Sequence, residues 1–219
     1  MNMKLINLTG AMVLALNLSC QAADTVKYDA QTTGSEMKLQ GDSSAHKWTC
    51  ISKIISGSFE VESAWQKDPS LKSVTCLGAG KTPPKCEIMV PVRSLKSQVA
   101  VAASKMDERM QTEMKVKTYA SIQYRLTEMT IKGDVPASGS PVTFDTKGEL
   151  IVCGSTNKVS FPITMERVGA DSLKFSGTLE TKMSACGVKP PEFDLYLATM
   201  KCYDDIKLTW TWLAAVKKD

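Results

Sequence analysis

Lys147-Gly148-Glu149-Leu150-Ile151-Val152-Cys153-Gly154-Ser155-Thr156-Asn157-Lys158-Val159-Ser160-Phe161-Pro162-Ile163-Thr164-Met165-Glu166 is the stretch that decides the fold. In its second half Val159, Phe161, Ile163 and Met165 alternate with Ser160, Pro162, Thr164 and Glu166. A strand points successive side chains to opposite faces, so this run has one apolar face and one wet face. Glu149–Cys153 is a second strand candidate, and Gly154-Ser155-Thr156-Asn157 between the two predicts a hairpin connection. Neighbouring strands of this kind must share a covered interior.

The same period of two recurs on both sides of the hairpin. Phe59 and Val61 alternate with Glu60 and Glu62, and Cys86, Ile88, Val90 and Val92 with Glu87, Met89, Pro91 and Arg93. Ile122, Tyr124 and Leu126 alternate with Gln123, Arg125 and Thr127. Leu173, Phe175, Gly177 and Leu179 form one face of a later run, and Ile206, Leu208, Trp210 and Trp212 one face of the last. Gly169-Ala170-Asp171 separates two of these runs, and residues 135–141 read as a loop because the strand pattern resumes after them. No repeat of fixed period and no low-complexity tract is present.

One segment departs from this period. Between Ser104 and Lys117 the apolar spacing becomes four, with Met106, Met110 and Met114 on one helical face. Ser104 and Asp107 predict a capping box, and Lys115 and Lys117 suit the negative end of a helix. The methionine stripe reads as core packing or as an adaptable lid over a cavity.

The N-terminus carries Lys4, then an apolar stretch Leu5–Ser19, then Cys20-Gln21-Ala22. This is the pattern of a secretory signal peptide cleaved after Ala22. Its apolar run of about 15 residues is shorter than the ~20 a membrane span needs, and no later segment is longer, so no transmembrane span is expected in the mature form. Leu16-Asn17-Leu18-Ser19-Cys20 is loosely similar to a lipoprotein cleavage site, which makes a lipid anchor on Cys20 the lesser alternative. The mature chain of residues 23–219 is long enough for one domain with a sizeable core. The formal charge of +4, dispersed along the chain, gives no footprint for nucleic acid. Six cysteines remain after cleavage: Cys50, Cys76, Cys86, Cys153, Cys186 and Cys202. An even number behind a signal peptide predicts disulfides, and the turn-rich segment between Cys76 and Cys86 makes them a locally reasonable pair.

Catalytic motifs are missing. His46 is the single histidine, and no Gly-x-Ser-x-Gly elbow, zinc-binding His-Glu-x-x-His helix or phosphate-binding glycine loop exists. Cys50, four residues after His46, is the one formal Cys-His pair, and oxidation in an exported protein would silence it. The expectation is a binding protein without cofactor, metal or catalysis.

Four segments in chain order resemble the YceI-like family. Gly41–Cys50, with Ser43, His46 and Trp48, is similar to the family's Gly-x-Ser-x-x-His-x-Trp segment. Val90-Pro91-Val92-Arg93-Ser94-Leu95 is followed by Met106–Met110 and then Lys115–Tyr124, similar to the family's strand, short helix and Lys-Tyr-Pro strand. Lys147–Val159 resembles its central hairpin, and Gly187–Pro191 with Asp204–Leu208 its last strand. Ala120, Asn157 and Cys186 depart from the pattern and bear on specificity more than on fold. The resemblance implies a mainly β protein: a single antiparallel lipocalin-like β-barrel of about eight strands, with one main helix near residues 104–117.

It further implies an apolar pore holding an isoprenoid-type or similar amphiphilic lipid in the periplasm. The expected pore residues are Trp48, Phe59, Val61, Ile88, Val90, Met106, Met110, Ile122, Tyr124, Phe161, Ile163, Phe175, Leu179, Trp210 and Trp212. His46 shares a strand phase with Trp48, and in the family register it faces the mouth or interior, either as a satisfied structural group or as a contact for the lipid head. A homodimer is compatible with this reading. The competing readings are a disulfide-tied protein-interaction module and an accessory to isoprenoid-quinone redox chemistry.

Overall fold

The alternating runs become strands, except that Val92 and Arg93 leave theirs for a 3-10 turn, and the outward phase of these strands carries charge. The computed structural model describes residues 24–99, 102–135, 140–195 and 198–217; the expected signal peptide Met1–Ala22 and the alternative anchor Cys20 lie outside the described residues. The chain runs through β1 (Thr25–Ala30), β2 (Glu36–Ser43), β3 (Trp48–Ser52), β4 (Ser56–Glu62) and the short helix α1 (Ala64–Lys67). After a long loop come β5 (Lys85–Pro91), a 3-10 turn (Val92–Ser94), β6 (Lys96–Ser97) and α2 (Ala103–Glu113). The second half is strand-rich: β7 (Ser121–Ile131), β8 (Val142–Val152), β9 (Ser155–Arg167), β10 (Ser172–Lys182), a 3-10 turn (Ser184–Cys186), β11 (Glu192–Leu195) and β12 (Ala198–Val216).

Eight antiparallel strands form a closed ring in the order β1-β4-β5-β7-β8-β9-β10-β12. The seam is β12 against β1, with Tyr28 opposite Val216 and Ala30 opposite Ala214. At one end the wall continues through β2, β3 and β6, which pair in turn beyond β12. Each continues the strand beside it in sequence, so β1–β2, β3–β4 and β5–β6 are long strands broken by bends. Gly57 makes one bend, at a φ of +131°, where a Cβ would lie 2.0 Å from the Glu87 carbonyl oxygen. Outside, cross-strand pairs such as Lys147–Glu128 at 2.8 Å and Lys174–Glu166 at 2.8 Å mark the wet face. Exposed pairs of this kind contribute little stability, and their use here is to keep the outer phase in water.

The far end of the ring is filled. Trp65 of α1 is fully buried and packs edge-on to Phe59 at 5.4 Å and stacked on Phe144 at 5.8 Å. The Arg167 guanidinium lies 5.7 Å over the Trp65 ring and donates to the Trp65 carbonyl oxygen. α1 therefore serves as a floor for the barrel.

Three local expectations are corrected. The hairpin turn is tighter than Gly154–Asn157: Val152 pairs with Ser155, and Cys153 and Gly154 alone turn the chain, at φ of +51° and +79°. Two positive φ values match the twist that hairpins favour. Helix α2 begins at Ala103 after Ala102 in the left-handed region, so Ser104 is no cap. Asp107 instead accepts the Ser97 backbone N–H at 2.7 Å and pairs with Lys96 at 3.3 Å. The helix stops at Glu113 because Lys115 turns left-handed, at φ +50°.

Disulfides are the third correction. All six cysteines among the described residues are free thiols. Cys86 faces the barrel interior, whereas Cys76 stands in the preceding loop beside the Glu62 carboxylate, so the pair expected from sequence points apart. The Cys153 thiol is turned to the Met114 carbonyl oxygen at 3.0 Å.

Removal of the floor ring tests this packing. Trp65→Ala is expected to lower unfolding free energy by about 3–5 kcal/mol, the range for deleting a large buried aromatic, measured by urea denaturation. A loss under about 1 kcal/mol, the scale of a surface substitution, would show that α1 does not seal the barrel.

Candidate functional site

Above the floor the barrel is not filled. Two cavities of about 860 Å³ and 800 Å³, counted out to their open ends, follow one another inside the wall. Ile122, Leu150 and Leu208 line both and form a waist between a lower and an upper chamber.

The lower chamber belongs to the ring of eight strands. Phe59 from β4, Ile88 and Val90 from β5 and Tyr124 from β7 line one side. Phe161 and Ile163 from β9, Phe175 and Leu179 from β10, and Trp210 and Trp212 from β12 line the other. The rings form contacts around the wall, Tyr124–Phe161 at 5.4 Å, Phe161–Trp210 at 5.0 Å and Phe175–Trp212 at 5.5 Å. Room for Tyr124 comes from Gly148, diagonal to it on β8, where a Cβ would meet the phenol at 2.4–2.5 Å. Thr146 and Gln123 are polar residues of the wall, and the Thr146 hydroxyl donates to the Phe161 carbonyl oxygen at 2.7 Å.

The upper chamber lies under α2. Met106 and Met110 are half-buried and, with buried Met114, cover it; Trp48 stands at its side. No residue of α2 itself is fully buried, so the helix rests on the cavity rather than in a core. Glu113 is the only charged residue lining either chamber among the described residues, and Arg109 holds it at 3.0 Å.

Two expected pore residues stand elsewhere. His46 is exposed in the turn before β3, with its Nδ1 on the Lys47 carbonyl oxygen at 2.8 Å. The strand begins only at Trp48, so the alternation that would have turned His46 inward does not reach it. Val61 is buried, yet it packs in the filled end and lines neither chamber. Conversely, Met37 and Leu39 of β2 line the lower and upper chamber respectively; their alternation with Glu36, Lys38 and Gln40 was a usable signal. Cys50, Cys186 and Cys202 line the upper chamber and Cys86 the lower, as small apolar side chains.

Burial sets the proton chemistry of these walls. It pushes the Cys50 and Cys86 thiols up to about 12 and Cys76 up to about 11. Cys153, Cys186 and Cys202 move in the same direction for the same reason. Burial also raises the Tyr124 phenol, although Thr146 nearby opposes the shift. None of these groups is prepared as a nucleophile, since thiolate is the reactive form. Among the described residues no group of three or more His, Cys, Asp or Glu side chains is placed to hold a metal.

The architecture is that of the lipocalin-like barrels: antiparallel walls around an elongated apolar bore, sealed at one end and covered by a helix at the other. The chain belongs to the YceI-like domain family, which matches residues 28–212. Among solved structures it is similar to BcnA of Burkholderia cenocepacia, at 16% identity and a TM-score of 0.59 over 85% of this chain and 100% of that one. It is also similar to a polyisoprenoid-binding domain from Saccharophagus degradans, at 11% identity and a TM-score of 0.62 over 88% and 99%. No curated protein sequence matches the chain.

The thiols provide a direct check. In the folded protein, iodoacetamide at pH 8 is expected to label the part-exposed Cys76 first and to reach the others only after denaturation. Mass spectrometry counts the adducts. Failure to label six thiols in denaturant without reductant would show that disulfides do form.

Proposed function

We propose that this protein binds, sequesters or transports an isoprenoid-type or similar amphiphilic lipid in the periplasm, without catalysis. The observation that carries the proposal is the pair of adjoining chambers, both apolar and lined, among the described residues, by a single charged side chain, which is already paired. Such a bore has little to offer a polar substrate and much to offer a chain of methylenes. Each buried CH2 contributes about 0.8 kcal/mol, against which the costs of association are set. Membership of the YceI-like family and likeness to a polyisoprenoid-binding domain support the choice of ligand. The leader pattern in Met1–Ala22 supports export.

A lipid must enter where the barrel is not sealed. Trp65 closes the floor, so the way in lies beneath α2, whose methionines adapt to different chain shapes. The helix is tied to β6 through Asp107, by the Ser97 N–H and the Lys96 ammonium.

Native mass spectrometry of protein purified from its own periplasm tests the function. A bound species with the mass of an isoprenoid lipid is expected, and delipidated protein is expected to take up a prenol in solution. An empty barrel that refuses the prenol but retains a protein partner would establish an interaction module instead. Cutting the α2 tether with Asp107→Ala is expected to speed prenol release about 3- to 10-fold, the scale of one or two polar contacts, by stopped-flow exchange. Unchanged release would place the passage elsewhere.

A further inference from the structure

Charge is arranged differently on the wall of the barrel and around its mouth. On the wall, cations answer carboxylates of the next strand, as Lys147 does Glu128, Lys174 Glu166 and Lys207 Glu180. Around the mouth this pairing runs out. Three segments that border the upper chamber make the rim: the turn before Trp48, helix α2 with its exit to β7, and the stretch around Val188 and Pro191. Each carries exposed lysine, Lys47 on the first, Lys105, Lys115 and Lys117 on the second and Lys189 on the third. Among the described residues no ion pair holds any of these, whereas their neighbours Lys96, Arg109 and Lys201 are paired with Asp107, Glu113 and Glu192. The remaining carboxylates of the rim do not balance them. Asp42 and Asp204 are half-buried and accept the backbone N–H groups of Ser43 and Ser184 at 2.8 Å each, which leaves Glu108 and Asp194 as the exposed ones.

Two aromatic side chains stand on the same rim. Tyr119, 38% exposed, lies over the β8–β9 turn, where a Cβ on Gly154 would meet its ring at 2.6 Å. Tyr203, 52% exposed, points outward beside Cys202, which lines the upper chamber. Tyrosine joins an apolar ring to a polar tip and favours the boundary between water and membrane, and a lysine stem can lie along the same boundary with its ammonium in the wet layer. Unpaired lysines interspersed with such rings match a surface of anionic lipid head groups, which attracts each cation brought close to it. The opening they surround gives the contact a purpose. An apolar ligand that leaves the upper chamber passes from one apolar phase to another, and a mouth pressed against a bilayer spares it the water between.

We infer that the mouth of the barrel docks on an anionic lipid bilayer through Lys47, Lys105, Lys115, Lys117 and Lys189, with Tyr119 and Tyr203 at the level of the head groups. This rests on the lipid-carrying function proposed above and goes beyond it, because it names the surface that the carrier meets and the face that meets it. Lys105, Lys115 and Lys117 belong to α2 and its exit, so the surface takes hold of the element that covers the bore. No residue of α2 itself is fully buried, and the helix is free to shift on the barrel while its lysines stay on the membrane.

The other end of the molecule supplies the control. Lys67 on α1 and Lys72 and Lys81 on the loop after it are also exposed and outside any ion pair among the described residues. Reversing them changes the net charge by as much as reversing Lys105, Lys117 and Lys189. Co-sedimentation with vesicles of phosphatidylglycerol and phosphatidylethanolamine, against vesicles of phosphatidylcholine, reads the docking. Wild-type protein is expected to bind the anionic vesicles, more weakly as salt rises, and to leave the phosphatidylcholine vesicles unbound. The triple variant Lys105→Glu, Lys117→Glu, Lys189→Glu is expected to bind about 100-fold more weakly, since each lysine near an anionic surface changes affinity about 5-fold. The triple variant Lys67→Glu, Lys72→Glu, Lys81→Glu is expected to bind nearly as wild type. None of these six lysines lines a chamber, so both variants are expected to keep the wild-type circular dichroism and to take up prenol from solution. Equal losses in the two variants would reduce the effect to net charge and overturn the proposal, as would equal binding to both kinds of vesicle. Prenol uptake without any vesicle binding would overturn the docking and leave lipid carriage standing; vesicle docking without prenol uptake would do the reverse.

Discussion

The pairing of β12 with β1 is the constraint on which the molecule depends. Without it the strands make an open sheet with two unpaired edges; with it they make a tube of fixed girth. Eight strands enclose an interior that side chains can just fill, or leave room for one slender ligand. The chain does both, at opposite ends. Around Trp65 and Phe144 large rings fill the tube, and toward α2 it opens into the two chambers. The same closed wall thus provides a core at one end and an apolar bore at the other.

This division explains the free thiols. Four of the six cysteines line the chambers, where they act as small hydrophobes and leave open space that leucine or phenylalanine would occupy. Burial raises every one of them, so they remain protonated and unreactive at neutral pH. Cysteine number and compartment are a sound guide to disulfides in small exported domains that lack a core. Here a closed barrel supplies the core, and the fold has no need of staples.

Most of the wall was legible in the sequence because period two is a direct image of the pleat. The alternation in Val159–Met165, Leu173–Leu179 and Ile206–Trp212 identifies strands and inward faces without further information, and those faces do line the bore. The misses have local physical causes. His46 was read in the phase of Trp48, but the Ser43 hydroxyl accepts the His46 backbone N–H at 3.1 Å and holds those residues in a turn. In β7 the register shifts between Leu126 and Glu128, so that Met129 rather than Glu128 faces inward; periodicity carries no sign of this bulge. Val61 has the correct phase but the wrong height, because alternation gives direction across a sheet and nothing about depth along a barrel. The waist was invisible for the same reason, being made of residues from β7, β8 and β12 that only the register brings level.

The cover over the bore follows a different logic from its walls. A wall strand is held by two neighbours and a buried face, and its loss would unfold the barrel. Helix α2 has no fully buried residue and joins the barrel through a few contacts, chiefly Asp107 to β6 and the methionines above the cavity. Non-glycine residues in the left-handed region bracket it, Ala102 before and Lys115 after, at φ of +62° and +50°. Such conformations carry a cost of order 1–3 kcal/mol each, so they oppose the docking of the helix that they frame. Elements with few buried contacts open at free energies well below that of global unfolding. A bore sealed at its floor by Trp65 requires an element of that kind at its other end, since a cover packed as firmly as the walls would leave the cavity with no route to be filled.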